Sequence, residues 1–282
     1  MTDIARLLQS RSFVELGARQ RARALLDAGS FRELLGPFDR LMSPWLPRQG
    51  IVPQADDGVV IAKGLLAGRP AVIAAIEGAF QGGSMGEVGG AKIAGALELA
   101  IEDNRNGIPT CAVLLLETGG VRLQEANLGL AAIAEIQAAI VELRIHQPVL
   151  GLIAGSVGCF GGMSIAAGLC SHLLVTREAR LGLNGPQVIE QEAGIAEYDA
   201  KDRPFIWSLT GGEQRHACGL VDAYVADDLD NIRQQLLQLL DTPSANRAAH
   251  HTWYLERLAS LGADCPQLDA AAVRALYQGE TQ

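Results

Sequence analysis

Two units of the same design follow each other along the chain, and each joins an apolar run to a helical segment through a glycine pair. In the first unit TCAVLLLE precedes Gly119-Gly120, and the Ala-rich segment RLQEANLGLAAIAEIQAAIVELRIHQ follows. In the second, VLGLIAG leads through SVGCFGG, with Gly161-Gly162, into MSIAAGLC. The apolar runs predict buried strands, and the following segments predict helices. Strand–turn–helix units in series predict stacked parallel α/β layers rather than an all-β fold or a helical bundle.

The segment before these units has a related pattern. VVIAKGLLAG and RPAVIAAIEGAF are β-like runs separated by Gly68-Arg69-Pro70, which predicts a hairpin-like pair of strands. MGEVGGAKIAGALELAIEDNRN then has helical periodicity, with Gly107 and Pro109 as stop signals. Downstream of the second glycine unit, HLLVT and RLGLN are expected to form further short strands.

The composition is typical of one α/β enzyme domain over residues 1–282, because 49% of the residues are hydrophobic but only 5% are aromatic. A net charge of −9 argues against a nucleic-acid partner, since such proteins carry a basic stripe. The start, MTDIARLLQSRSFVEL, lacks the apolar core of a signal peptide, and no uncharged apolar run reaches membrane-spanning length. We therefore expect no membrane association and a cytoplasmic location.

The two ends of the chain differ from its middle. Residues 1–50 are predicted to form a helical N-terminal extension, and residues 203–282 a C-terminal helical part that could dock a partner, although its apolar stripe also suits plain core packing. Arginines in the N-terminal part suit either a solvated helix face or a basic patch that docks an acidic carrier protein. These candidates are Arg19, Arg21, Arg23 and Arg32.

The cysteines do not predict a metal site or redox chemistry. Cys111, Cys159, Cys170, Cys218 and Cys265 are odd in number and widely spaced, without a C-x-x-C pair, so each is expected to be a small buried residue. Cys159 lies beside a glycine pair and is the one candidate for a nucleophile, but no histidine is near it in sequence. We therefore predict no metal and no thiol chemistry.

Three ordered segments together resemble the carboxyltransferase family, whose fold is the crotonase-type ββα superhelix. They are GAFQGGSMGEVGGAKIAGALELA, ETGGVRLQEANLGLAAIAE, and GSVGCFGGMSIAAG continuing to EARLGLNGPQVIEQEAG, and they span about residues 58–195. Within the family the chain is most similar to the β subunits of the biotin-independent malonate decarboxylases. It lacks the four-cysteine zinc ribbon of one bacterial branch, and its length matches one half of the single-chain members. The resemblance therefore implies a carboxyltransferase half that needs a homologous partner subunit.

Glycine pairs between a strand and a helix suit the chemistry of this family. Loss of CO2 from a malonyl thioester leaves an enolate, and backbone N–H groups at a helix start can bind its negative oxygen. By resemblance, Gly119, Gly120, Gly161 and Gly162 are assigned to oxyanion or substrate-carbonyl binding, with the pair that faces the thioester left open.

Three further residues are weaker candidates for substrate binding. Gly82 and Gly83 in QGGSMGE could shape the wall of the acyl-thioester site or let the next helix pack on a strand. Arg122 could contact substrate, but an ion pair with Glu125 in the first turn of a helix is the more common arrangement. The sequence does not indicate a proton donor, since the histidines lie outside the motifs and a water or a partner residue would serve. These histidines are His146, His172, His216, His250 and His251.

The resemblance implies a decarboxylase subunit that converts a malonyl thioester on an acyl-carrier protein to an acetyl thioester and CO2. No cofactor is expected on this chain, because a phosphopantetheine-type or CoA thioester arm would come with the carrier or substrate. The implied partners are a homologous γ subunit and the acyl-carrier protein. One alternative is a carboxyltransferase subunit that passes the carboxyl group to biotin on another protein, and avidin inhibition would distinguish it. Another is a non-catalytic scaffold, which would tolerate substitution of both glycine pairs.

Overall fold

A mixed sheet runs through the molecule in the computed structural model, which describes residues 10–53, 57–244, 247–261 and 268–278. In that part of the chain the sheet has seven strands, and their spatial order is their order along the chain. The first three strands pair antiparallel, and every later pair is parallel. The strands are β1 (Arg32–Leu35), β2 (Val59–Leu66), β3 (Arg69–Ile76), β4 (Cys111–Leu115), β5 (Val149–Ile153), β6 (His172–Thr176) and β7 (Ala223–Val225).

Helices cover both faces of the sheet. On one face the helices bury Leu97, Ile136 and Met163 fully. On the other face the helices bury Leu25 and Ile232 fully. The helices are α1 (Ala18–Leu25), α2 (Glu87–Arg105), α3 (Ala126–Leu143), α4 (Gly162–Leu169), α5 (Pro186–Ala193), α6 (Arg203–Thr210), α7 (Gly212–Ala217), α8 (Leu229–Leu240), α9 (Arg247–Ser260) and α10 (Ala270–Gln278).

The predicted hairpin is confirmed as β2 and β3, in register from Val59 opposite Ile76 to Leu66 opposite Arg69. Its two-residue loop, Ala67-Gly68, has positive φ at both positions (49° and 77°), the backbone that joins two strands of right-handed twist most directly.

A second, shorter ladder crosses the ends of the parallel strands. Isolated parallel bridges join Met85 to Val121, Thr118 to Cys159, and Cys159 to Leu181. Each unit therefore contributes a long strand to the main sheet, a short extended segment to this ladder, and then a helix. That repeat is the ββα arrangement expected from the sequence.

The N-terminal part differs from the predicted helical extension. Within the described residues 10–50 the only α-helix is Ala18–Leu25, and Arg32–Leu35 is a strand that pairs with β2, with Arg32 opposite Lys63. Residues 1–9 lie outside the described part. The strand forms because the free edge of the hairpin offers backbone partners, which outweigh the local helical preference of so short a segment.

The C-terminal part is helical where it is described, apart from β7, which was not predicted. Leu229, Ile232 and Leu236 of α8 are buried in the core, so this helix belongs to the body of the fold. RLGLN, predicted as a strand, contributes only isolated bridges. A partner-docking role for the remaining helices stays a prediction.

One segment, Leu123–Leu143, is long and apolar enough to cross a membrane by length and composition alone. It contains α3, whose Ile133, Ile136 and Ile140 pack in the same core cluster as the sheet. One apolar face of this segment therefore packs in the core.

Candidate active site

A cleft of about 550 Å³ lies where the segments after β3 and β4 come together. Parallel neighbouring strands bring these segments to one edge of the sheet. Two of the lining residues, Val52 and Leu123, are apolar and highly exposed at its rim. The lining consists of Ile51, Val52, Gln81, Gly82, Ser84, Gly119, Val121, Arg122, Leu123, Gln124 and Glu125.

The two glycine pairs meet beside this cleft through Gly120 and Gly161. A Cβ on Gly161 would lie 3.2 Å from Gly120 Cα, and a Cβ on Gly120 would lie 3.2 Å from the carbonyl oxygen of Phe160. Gly120 has φ of 107°, and Gly161 has φ of 62° with ψ of −147°, a region that only glycine occupies without strain. The repeated Gly-Gly pattern thus reflects a direct backbone contact between the two turns.

Three of the four predicted oxyanion amides donate hydrogen bonds within the protein. The N–H of Gly119 donates to Gly82 O (2.9 Å), that of Gly120 to Thr118 Oγ1 (3.1 Å), and that of Gly161 to Leu183 O (2.7 Å). Gly162 is the first residue of α4, and its N–H donates to no acceptor among the described residues. Gly162 is thus the one member of the two pairs whose amide has no acceptor among the described residues, and we call such an amide open.

A second open amide belongs to Val121, which sequence reasoning missed. The bridge to Met85 uses Gly120 O and Arg122 N–H, so the intervening Val121 N–H faces away from Met85 and has no acceptor in the described part of the chain. Val121 N lies 3.7 Å from the position that a Cβ on Gly161 would occupy. The amides of Val121 and Gly162 therefore both lie next to the contact between Gly120 and Gly161. The bridge that turns the Val121 amide this way joins distant segments, so no local sequence signal indicates it.

The predicted substrate-binding glycines lie in a turn at the cleft. Gly82 lines the cleft with φ of 64°, and a Cβ there would meet nothing within 4 Å. Gly83 also has φ of 64°, but a Cβ there would overlap the carbonyl oxygen of Glu117. Gly82 is therefore placed where a ligand could approach, whereas Gly83 permits close packing of two backbone segments.

Arg122 lines the cleft, but its guanidinium is already bonded to the protein. It forms a buried ion pair with Glu125, Nη1 to Oε1 at 2.8 Å, and Nη2 donates to the carbonyl oxygen of Ser84 at 3.1 Å. Glu125 also accepts the backbone N–H of Glu87 at 2.7 Å. This network ties the cleft wall to the start of α2. The ion pair between Arg122 and Glu125 is the arrangement that the sequence favoured, and a contact between Arg122 and substrate stays a prediction.

The basic patch proposed for carrier docking is not formed as expected. Arg21 is buried against Glu117, so it is not available at the surface. Arg19 pairs with Glu33 at 2.6 Å, and the guanidinium of Arg23 stacks on the ring of Phe31. The prediction that Arg21 belongs to a basic surface patch is wrong. Because α1 packs on the sheet, Arg21 points toward the loop after β4 and is buried there.

Cys159 is fully buried in the short ladder, and burial raises the pKa of its thiol far above the ordinary value. Cys111, Cys170 and Cys218 are buried as predicted, and Cys265 lies outside the described residues. Among the described residues no cluster of potential metal ligands occurs. The geometry therefore favours the packing interpretation of Cys159 over the nucleophile.

We expect Cys159 to resist alkylation in the folded protein. A raised pKa lowers the thiolate fraction at mildly alkaline pH, and burial blocks the reagent, so iodoacetamide should label Cys159 only after denaturation. Cys111, buried with its pKa raised to about 11 by desolvation, is the internal control and should behave alike. Peptide mass spectrometry reports both sites. Rapid labelling of native Cys159 alone would restore the nucleophile interpretation.

The repeated ββα units and the joined glycine turns define the class of protein: an α/β chain of crotonase-like fold that presents backbone amides beside a cleft. The profile of the carboxyl transferase domain matches residues 13–253, and the chain belongs to that family.

Comparison with individual proteins shows which members of the family this chain is similar to, and it confirms the predicted fold. The chain is 40% identical over 246 residues to malonyl-S-ACP:biotin-protein carboxyltransferase of Malonomonas rubra, covering 84% of this chain and 77% of that protein. A chain of a Pseudomonas malonate decarboxylase hetero-tetramer, solved with malonate, is 75% identical with a TM-score of 0.90, covering 98% of this chain and 100% of its own. A chain of the Pseudomonas MdcD–MdcE hetero-dimer is 68% identical with a TM-score of 0.75, covering 88% and 97%. The predicted likeness to malonate decarboxylase subunits is confirmed.

Proposed function

We propose that this chain is a subunit of a malonate decarboxylase complex that removes CO2 from a malonyl thioester carried on an acyl-carrier protein and leaves the acetyl thioester. The observation that carries the proposal is the pair of open amides, Val121 and Gly162, at the contact between the two glycine turns. The 75% identity to a Pseudomonas malonate decarboxylase chain supports the choice of reaction.

The chemistry follows from where negative charge develops. When the bond between the carboxylate carbon and the α-carbon breaks, its electron pair moves into the thioester, and the carbonyl oxygen becomes an enolate oxygen. Two backbone N–H groups fixed beforehand lower the energy of this state without reorganising. The α-carbon then takes a proton, and the acetyl thioester results. Among the described residues that line the cleft there is no histidine, and the one acidic residue, Glu125, is paired with Arg122, so water or a partner residue is proposed as the proton source.

We further propose that the site is completed by a homologous γ subunit and that the thioester arm, phosphopantetheine-type or CoA, arrives with the carrier rather than as a cofactor of this chain. The cleft has exposed apolar side chains, Val52 and Leu123, on its rim, which suits burial by another subunit. Both Pseudomonas relatives are hetero-oligomers. A cytoplasmic location is part of this proposal.

A carboxyltransferase that passes the carboxyl group to biotin is the second candidate. It is favoured by the relative from Malonomonas rubra, whose name describes transfer to a biotin protein. The same open amides would serve this reaction, since it also proceeds through a thioester enolate. Dependence on biotin therefore distinguishes the two reactions.

The test is CO2 release from a malonyl thioester by the chain co-purified with its native partner subunits, with and without avidin. Avidin-resistant release is expected. Release that avidin abolishes, or that requires an added biotin carrier, would support the carboxyltransferase instead. No release under either condition, from a complex shown to be assembled, would contradict both reactions.

A further inference from the structure

The Glu117 side chain lies where three loops at the carboxyl edge of the sheet meet. It follows β4 in the segment LLLETGG and is 8% exposed. A Cβ on Gly78, shortly after β3, would lie 2.8 Å from Glu117 Cγ, and a Cβ on Gly155, shortly after β5, would overlap its carboxylate. The N–H of Val157 donates to Glu117 Oε1 at 3.5 Å. One carboxylate, which belongs to the loop after β4, thus packs against the other two loops that carry the family motifs.

Arg21 of α1 holds this carboxylate from the other side. Its Nη1 pairs with Glu117 Oε2, and the pair is buried. Its Nε donates to the carbonyl oxygen of Phe13 at 3.0 Å, and its Nη2 donates to that of Val14 at 2.6 Å. The rigid, planar guanidinium spreads its N–H donors over all three acceptors, whereas the compact ammonium of a lysine does not match that spacing. Because both charges are removed from water, loss of either partner leaves an uncompensated charge inside the protein.

We propose that Glu117, held by Arg21, is a positioning residue that keeps the two open amides aimed at one oxygen atom. This inference rests on the proposed function. Glu117 stands four residues before Val121, and the loop that begins at Gly155 ends at Gly162, so movement of the carboxylate displaces both donors. Glu117 is not part of the cleft lining, and it acts through the loops rather than on the substrate. Small errors in donor placement have large effects on rate.

Kinetics of variants in the assembled complex test this role, with malonyl-CoA and a synthetic malonyl-pantetheine thioester as probes. Glu117→Gln and Arg21→Met should each lower kcat by about tenfold or more, with KM within about twofold, because only stabilisation of the transition state is lost. Arg21→Lys retains a cation opposite Glu117 and should recover much of kcat. It should nevertheless lower the melting temperature, since the contacts to Phe13 and Val14 are lost.

The matched control is Asp57→Asn. Asp57 forms an equally buried ion pair with Lys92 at 3.0 Å, which ties α2 to β2 and does not line the cleft. Both carboxylate-to-amide changes leave a buried cation without its charge partner, so both should lower the melting temperature. Only Glu117→Gln should lower kcat. Unchanged kcat in Glu117→Gln below its melting temperature, or an equal loss in Asp57→Asn, would overturn the positioning role.

Amide hydrogen exchange tests, without the reaction, whether Glu117 orders the three loops. In Glu117→Gln, exchange should rise together in residues 78–84, 117–122 and 155–162, whereas Asp57→Asn should leave these loops unchanged. An inactive parent complex would refute the proposed function, and exchange would still decide whether Glu117 orders the loops. Unchanged exchange in all three loops would overturn the inference even in an active enzyme.

Discussion

Gly161→Ala is expected to lower the decarboxylation kcat of the assembled complex by about 100- to 1000-fold, the usual effect of losing an oxyanion donor. The new methyl group would stand 3.7 Å from Val121 N and so cover that amide. It would also press on Gly120 Cα, and the backbone at φ of 62° and ψ of −147° disfavours any side chain, so the Gly162 amide would turn as well. CO2 release at saturating thioester measures the effect.

The matched control is Gly168→Ala in α4, the helix that begins at Gly162. A Cβ on Gly168 would meet nothing within 4 Å, and alanine in a helix is more stable than glycine by about 0.5–1 kcal/mol. This variant should keep full activity. If Gly161→Ala assembled normally and released CO2 at the parent rate, the two amides would not form the oxyanion site, and the scaffold alternative would gain support.

Gly83→Ala should cause the largest loss of stability, about 3–5 kcal/mol in the free energy of unfolding. A Cβ at this position would overlap the carbonyl oxygen of Glu117, and that oxygen belongs to backbone that cannot move without displacing the loop after β4. Denaturant titration of the purified chain, or poor recovery of folded protein, would report the effect.

Gly82→Ala separates steric overlap from backbone strain. Gly82 and Gly83 have the same φ of 64°, but a Cβ on Gly82 would meet nothing within 4 Å. Gly82→Ala should therefore cost only the strain of a left-handed alanine, about 1 kcal/mol. Equal losses of stability in the two variants would mean that steric overlap at Gly83 adds nothing to the cost of backbone strain.

Local sequence patterns predicted most of the elements that build the site. The apolar runs TCAVLLLE and VLGLIAG became β4 and β5, and MSIAAGLC became α4. These segments could be predicted because periodicity and glycine turns act over a few residues. The strand Arg32–Leu35 could not, since a four-residue segment has little preference of its own and was decided by the edge of the hairpin.

The sequence by itself determined the order of β2 to β6, of the glycine turns and of α2 to α4, and it determined the family. It also indicated that the glycines at 119–120 and 161–162 would contribute to the site. Only the tertiary structure decided that Gly120 and Gly161 touch and that three of the four predicted amides donate to acceptors within the protein. It also decided that Val121 supplies the second open N–H beside that of Gly162. The sequence likewise predicted Arg21 at the surface, whereas in the structure it is buried against Glu117. The physical reason is that hydrogen-bond partners and burial depend on segments far apart in the chain, which local periodicity does not encode.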